Sequence, residues 1–251
     1  MLDVFTATVL QKHEARYQRC DDCDFMCAAS PHWLEEAYTD AIAVTDTGIM
    51  VRNIATVEKV ADYLEISHKA SARCLDYAGG YGIFVRMMRD RGYDFDWYDP
   101  YSSNLLARGF EMREGGYSVV TAMEVMEHVE DPRAFLTGIT ERTDPETIIF
   151  STETYSGGTA PERDWWYYSF DTGQHIAFYS PKTLNHLADK IGMAYATVGG
   201  LHFFSRAPLP ERALRVAYSR PARALKPVLK KRRTPLTQQD HDRMVQKLRS
   251  D

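Results

Sequence analysis

The 251-residue chain contains no run of 18 apolar residues, which excludes a helical membrane span. Its first twenty residues lack a basic segment followed by a long apolar run, so no secretory signal is expected. Cysteine is scarce. Cys20, Cys23 and Cys27 lie close together, and Cys74 opens an apolar run. That spacing is not a disulfide framework, and the expected compartment is a reducing cytosol. Positive charge is not in excess either. Thirty Lys and Arg stand against 35 Asp and Glu, a net charge of −5, which argues against a nucleic-acid partner. Solenoid-period repeats and low-complexity tracts are also missing.

What is present is a soluble globular composition, 44% hydrophobic and 26% charged. The length suits one catalytic-sized domain with attachments. Four zones are expected. Residues 1–31 form a small Cys-bearing appendage, and 32–70 form a helical lead-in. Residues 71–207 form the main domain, and 208–251 form a basic tail.

Within 32–70, Ile54, Val57, Val60, Ala61 and Leu64 recur at helical spacing. From 71 onward strand and helix signals alternate. Strands are expected at 73–78, 95–98, 118–123, 147–152, 195–198 and 201–205. Helices are expected at 84–91, 132–141 and 181–191, the last opened by the Ser180-Pro181 cap pair. Gly199-Gly200 between two strand-like runs signals a hairpin. Alternation of this kind predicts a mostly parallel sheet in an α/β fold.

Leu75-Asp-Tyr-Ala-Gly-Gly-Tyr-Gly82 reads as a strand, a tight glycine turn and a helix start. Such a turn brings backbone N–H groups close to a ligand. Asp99 ends the next strand, 23 residues after Asp76, where an acid can bind ribose hydroxyls. An acid beside the loop repels a pyrophosphate and attracts a cation. The pattern therefore points to a cationic nucleoside cofactor more than to a nicotinamide dinucleotide.

Asp76 to Gly82, Asp99 and the segment Met123-Glu-Val-Met-Glu-His-Val-Glu-Asp-Pro132 together resemble class I S-adenosylmethionine-dependent methyltransferases of the small-molecule and sugar branch. The resemblance implies a Rossmann-like, seven-stranded, mostly parallel sheet with one antiparallel edge strand and helices on both faces. It implies S-adenosylmethionine as cofactor, with Asp76, Ala78, Gly80 and Gly82 at its methionine part, Asp99 on the ribose and Glu124 nearby. Ala78 replaces the motif's first glycine, at small cost if its φ is negative. No third strand stands out between Asn104 and Tyr117, and Glu111 is the one adenine-contact candidate there.

Methyl transfer needs alignment of the acceptor and, for a hydroxyl, removal of its proton. His128 and His175 both follow strands at the carboxyl edge of the sheet and are the candidate bases; packing or surface roles are the alternatives. The aromatic run Trp165-Trp-Tyr-Tyr168, with Phe170, suggests a wall for stacking a small-molecule or glycan-precursor acceptor, or a packed lid. A non-catalytic scaffold and a nicotinamide-dependent oxidoreductase remain the rival functions.

No metal ligands are assigned. Cys20-x-x-Cys23 supplies half of a zinc ribbon, and with Pro31–Tyr38 and Asp46–Asn53 it resembles methyltransferases bearing a zinc-ribbon-like N-terminal module. Residues 211–251 carry 12 Lys and Arg against 4 acids. That tail is either solvated or a peripheral contact for an anionic membrane.

Overall fold

The computed structural model describes residues 1–38, 45–222, 224 and 233–250. Four short strands, β4 (Cys74–Tyr77), β5 (Phe95–Tyr98), β6 (Val119–Ala122) and β7 (Thr147–Phe150), pair in parallel in the order β5-β4-β6-β7. They are buried along almost their whole length, Asp76 and Asp96 included, as expected for strands covered on both sides. Two later strands, β9 (Ala194–Val198) and β10 (Leu201–Ser205), form a hairpin across Gly199-Gly200, both at positive φ.

Among the described residues the sheet has six strands rather than seven, in the order β5-β4-β6-β7-β10-β9. The expected extra strand is reduced to a single parallel bridge between Trp97 and Glu111. Its segment is rich in Gly, Arg and Glu and has no apolar run to bury. The antiparallel strand is also not at the edge. It is β10, inserted between β7 and β9, because Phe203 and Phe204 occupy the interior and the more exposed β9 takes the rim.

Alternate strand residues divide between two buried clusters, as the period of two requires. Cys74, Val119, Ile149 and Phe203 pack with α2 (Ile49–Ile66), α3 (Ile83–Arg89) and α6 (Glu211–Ala217). Leu75, Val120, Ile148 and Phe204 pack with α4 (Pro132–Thr143) and α5 (Pro181–Lys190). Asp131 caps α4 through its side chain, and Ser180 with Thr183 forms a capping box on α5.

The first thirty residues form a three-stranded antiparallel meander, β1 (Leu2–Val9), β2 (His13–Arg19) and β3 (Met26–Ala29). A two-residue strand from the main domain, β8 (Ala177–Phe178), completes this second sheet beside β3. Its core is aromatic: Tyr17, Trp33, Tyr155, Tyr167, Tyr168 and Phe178 are all buried together. The short helix α1 (Leu34–Ala37) follows.

The Cys20–Asp24 turn joins β2 to β3. Arg19 and Asp24 pair across it, and Thr183 of α5 donates to the Cys23 carbonyl at 2.8 Å. All four cysteines are free thiols.

At the other end, α7 (Thr237–Ser250) returns to the main domain through Asp240, which is 4% exposed and bonds Arg89 at 2.7 and 2.8 Å and Arg86 at 2.8 Å. Within the stretch expected to form the basic tail, Leu214 of α6 is fully buried. Leu225, Val228, Leu229 and the basic residues Lys230, Lys231 and Arg232 lie outside the described residues. No helix among the described residues is long and apolar enough to cross a membrane.

Candidate active site

A cavity of about 440 Å³ opens at the carboxyl edge of the parallel strands, between the α2 N-terminus and the segment 166–175. Asp76, Ala78, Gly80, Glu124, His128 and His175 all line it. Two of the residues singled out in the sequence do not. Gly82 starts α3 and packs against Ala107, and Asp99 stands beside the loop rather than in the cavity.

The loop geometry follows from close approaches. A Cβ on Gly79 would meet Trp97 Cδ1 at 2.8 Å and Asp76 Oδ2 at 2.9 Å, so only glycine fits there. Gly80, at φ 52°, faces open space. Its N–H donates to Asp99 Oδ2 at 2.9 Å, and its carbonyl accepts from Trp97 Nε1 at 2.8 Å. Asp99 Oδ1 accepts from the N–H groups of Tyr101 and Ser102. Asp99 thus pins the loop.

Ala78 departs from expectation. Its φ is 62°, in the left-handed region, where a Cβ costs roughly 1–2 kcal/mol. Glu111 accepts from Asn104 Nδ2 and Gly109 N–H, closing its own loop.

Asp76 is 3% exposed, and its Oδ1 accepts from Thr121 Oγ1 at 2.6 Å. Burial pushes its carboxyl up to about 7, with the nearby Asp99 charge acting in the same direction and the Thr121 bond against it. A buried acid held near its titration point is a receptor for a cation.

Glu124 has φ 54° and is fixed by Ser151, whose Oγ donates to its carboxylate and accepts from its N–H. Arg52, paired with Asp46 at 2.6 Å, reaches Glu124 at 3.4 Å.

His128 ends a 3₁₀ turn (Met126–His128) after β6. Its Nδ1–H donates to the Gln174 carbonyl at 2.9 Å, with the Tyr38 hydroxyl oxygen at 2.8 Å from the same nitrogen. His175 Nδ1–H donates to the Tyr167 carbonyl at 2.7 Å. The two rings lie 5.0 Å apart. Burial lowers both histidines below their ordinary value, so both are neutral near pH 7, with Nε2 as the lone-pair nitrogen.

Glu127, between them, is 1% exposed, and burial raises its carboxyl to about 7. In the sequence it stood only as one position of the Met123–Pro132 segment; the Ile176 N–H meets its carbonyl from a segment nearly fifty residues away.

The aromatic run divides. Tyr168 is fully buried and, with the half-buried Phe170, packs on Phe5 and Tyr17 of the N-terminal sheet, while Trp165 packs on Phe178. Trp166, 72% exposed, and Tyr167 line the cavity. The stacking wall is thus one indole and one ring edge, and the rest is core.

The loop, the acid below it and the titratable groups opposite form a cavity suited to a cationic nucleoside and a second small reactant. Comparison with known proteins agrees. A family model described as "Methyltransferase domain" matches residues 51–198, more than half of the chain. The chain belongs to this methyltransferase family; it is a methyltransferase whose cofactor is S-adenosylmethionine.

Similar solved structures include a magnesium protoporphyrin IX methyltransferase from Synechocystis PCC 6803 with bound SAH. It is 14% identical, with TM-score 0.48 over 70% of this chain and 94% of that one. The mitomycin 7-O-methyltransferase is 16% identical, with TM-score 0.45 over 71% and 69%. Human N-acetylserotonin methyltransferase with SAM is 13% identical, with TM-score 0.46 over 61% and 52%. All three scores are below 0.5, and the assignment rests on the family model. No curated protein matches the chain.

The cavity fits the cofactor. Gly80 offers open backbone, and Asp76 offers a buried negative charge for the sulfonium and ammonium groups. When bound, S-adenosylmethionine supplies an activated methyl group.

Proposed function

We propose that this methyltransferase acts on a hydroxyl of a small-molecule or sugar-containing acceptor that enters beside Trp166. The observation that supports this reading best is the shared cavity. It holds the glycine loop and Asp76 on one side, and His128, His175 and an exposed indole on the other. An indole face stacks on sugar rings and flat rings alike.

In this reading Asp76, Ala78 and Gly80 hold the cofactor, while Asp99 and Gly82 shape the loop. His175 and His128, both neutral, are the proton acceptors for the reacting hydroxyl; their carbonyl-bound Nδ1–H groups fix the tautomer. In this reading the enzyme works in the cytosol, and its basic tail makes a peripheral contact with anionic membrane.

The test is transfer of labelled methyl from S-adenosylmethionine across a panel of glycosides, phenols and carboxylates. Label on hydroxyl acceptors, lost in His175→Ala, supports the reading. Label only on carboxylates, or on hydroxyls with His128→Ala and His175→Ala both at full rate, overturns it.

A further inference from the structure

We propose that Glu127, His128 and His175 bind one divalent transition-metal ion, with coordination positions left open toward the cavity. One ligand atom from each residue lies within 4.8 Å of the other two. Side-chain adjustments on the order of 1 Å bring them to metal–ligand bonds of about 2.0–2.2 Å.

Two further observations point to a ligand at this spot. Glu127 is 1% exposed, yet its Oε2 has no hydrogen-bond partner. A buried carboxylate oxygen left alone is costly, and a cation against it removes that cost. The second observation concerns the imidazoles. Each histidine spends its Nδ1–H on a backbone carbonyl, Gln174 for His128 and Tyr167 for His175. That arrangement fixes the tautomer and leaves Nε2 as a donor, the usual outer support of a metal-binding histidine.

The scaffold is rigid. The 3₁₀ turn carrying Glu127 and His128 is tied to the 174–179 segment through the Ile176 N–H to Glu127 carbonyl bond and the Tyr179 hydroxyl to Met126 carbonyl bond.

Two imidazole nitrogens and one carboxylate suit a first-row ion such as Zn²⁺, Mn²⁺ or Co²⁺ better than Ca²⁺. Three protein ligands with an open position describe a site that takes a further ligand from solution, not a closed structural one. All three residues line the cavity that also holds Trp166. An oxygen of the acceptor therefore completes the coordination; with the Nε2 lone pairs spent on the ion, the loaded enzyme uses the ion in place of the two histidine bases to orient that oxygen and ease loss of its proton to water. The cysteine turn shares no residue with this cluster.

The experiment uses the full chain, stripped with chelator and dialysed, then titrated with Zn²⁺, Mn²⁺ and Co²⁺. Calorimetry and the visible absorption of the Co²⁺ form are the readouts. One ion per chain is expected. Glu127→Gln and His175→Ala should each weaken it by more than about 100-fold, since loss of outer-shell partners alone costs about 10–100-fold. His175→Gln replaces His175→Ala if the latter fails to fold. The double variant Cys20→Ser, Cys23→Ser should bind unchanged. No binding of any of the three ions at millimolar concentration overturns the proposal. So does binding that survives both cavity variants or disappears in the cysteine variant. S-adenosylhomocysteine binding, measured on the metal-free chain, reports separately on the cofactor site.

Discussion

Replacing Asp76 by asparagine separates the charge of this side chain from its shape. The carboxyl is 3% exposed and is raised to about 7, chiefly by burial. About one tenth of it is ionised at pH 6 and about three quarters at pH 7.5. The sulfonium and ammonium groups of S-adenosylmethionine favour the ionised form. If only that form binds, Kd falls about eightfold between pH 6 and pH 7.5. In Asp76→Asn the change should shrink to less than about twofold, with binding at pH 7.5 weaker by at least about tenfold, or 1.4 kcal/mol.

Isothermal titration at fixed ionic strength measures both slopes. A wild-type Kd that is flat across this range would refute the reasoning. So would an asparagine variant that keeps the slope, because the titrating group would then lie elsewhere in the cavity. Folding supplies a second check with a known sign. A carboxyl raised in the folded state binds more protons there than when unfolded. Its contribution to cofactor-free stability is therefore fully present below the unfolded value of about 3.9 and is lost as pH rises to about 7, by at most about 4 kcal/mol. The asparagine variant should show a fall smaller by that amount in urea titrations, with the part due to the similarly raised Glu127 remaining.

Ala78→Gly should stabilise the chain by about 0.5–1 kcal/mol, because relief at φ 62° exceeds the added unfolded-state entropy; an unchanged or lower urea midpoint would contradict this. Asp240→Ala leaves Arg89, itself 4% exposed, with only the half-exposed Asp94 as carboxylate partner and should cost about 3 kcal/mol in thermal unfolding. The same pair lowers the Asp240 carboxyl, so its stabilisation is present above the unfolded value near 3.9 and is lost as pH falls below it. Trp166→Ala should leave the melting temperature almost unchanged, since the indole is 72% exposed, while raising the acceptor KM about tenfold; a lower Tm with unchanged KM would make it a structural residue.

Much of the main domain was legible. The apolar runs at 95–98 and 201–205 are strands with those bounds, and the Ser180-Pro181 pair does open α5. Local signals suffice where a strand is buried on both sides or a helix carries its own cap. The N-terminal meander was not legible. Of β1 only Val9 is buried, so alternation is faint, and what holds the sheet together is pairing with aromatics from 155–178. The order β7-β10-β9 was missed because a hairpin signal fixes neighbours but not which of them enters the sheet interior. At the site, the glycine loop and both histidines line one cavity. The positive φ of Ala78 was not legible, since a φ sign is not written in residue type alone. Asp99 was read as a ribose contact; its oxygens accept from the Gly80 N–H of the glycine loop and the Tyr101 N–H of its own turn, a link that no local signal shows.

The pairing of β3 with β8 has a consequence for biosynthesis. Cys27 meets Ala177 across a gap of 150 residues. At synthesis rates of about 5–20 residues per second, the first three strands leave the ribosome roughly 8–30 s before their fourth partner exists. During that interval Val9, Tyr17 and Met26, all buried at the end, have nothing to cover them. The nascent N-terminus therefore exposes apolar surface for that time, and the cavity wall bearing His175 closes only when this delayed register is made.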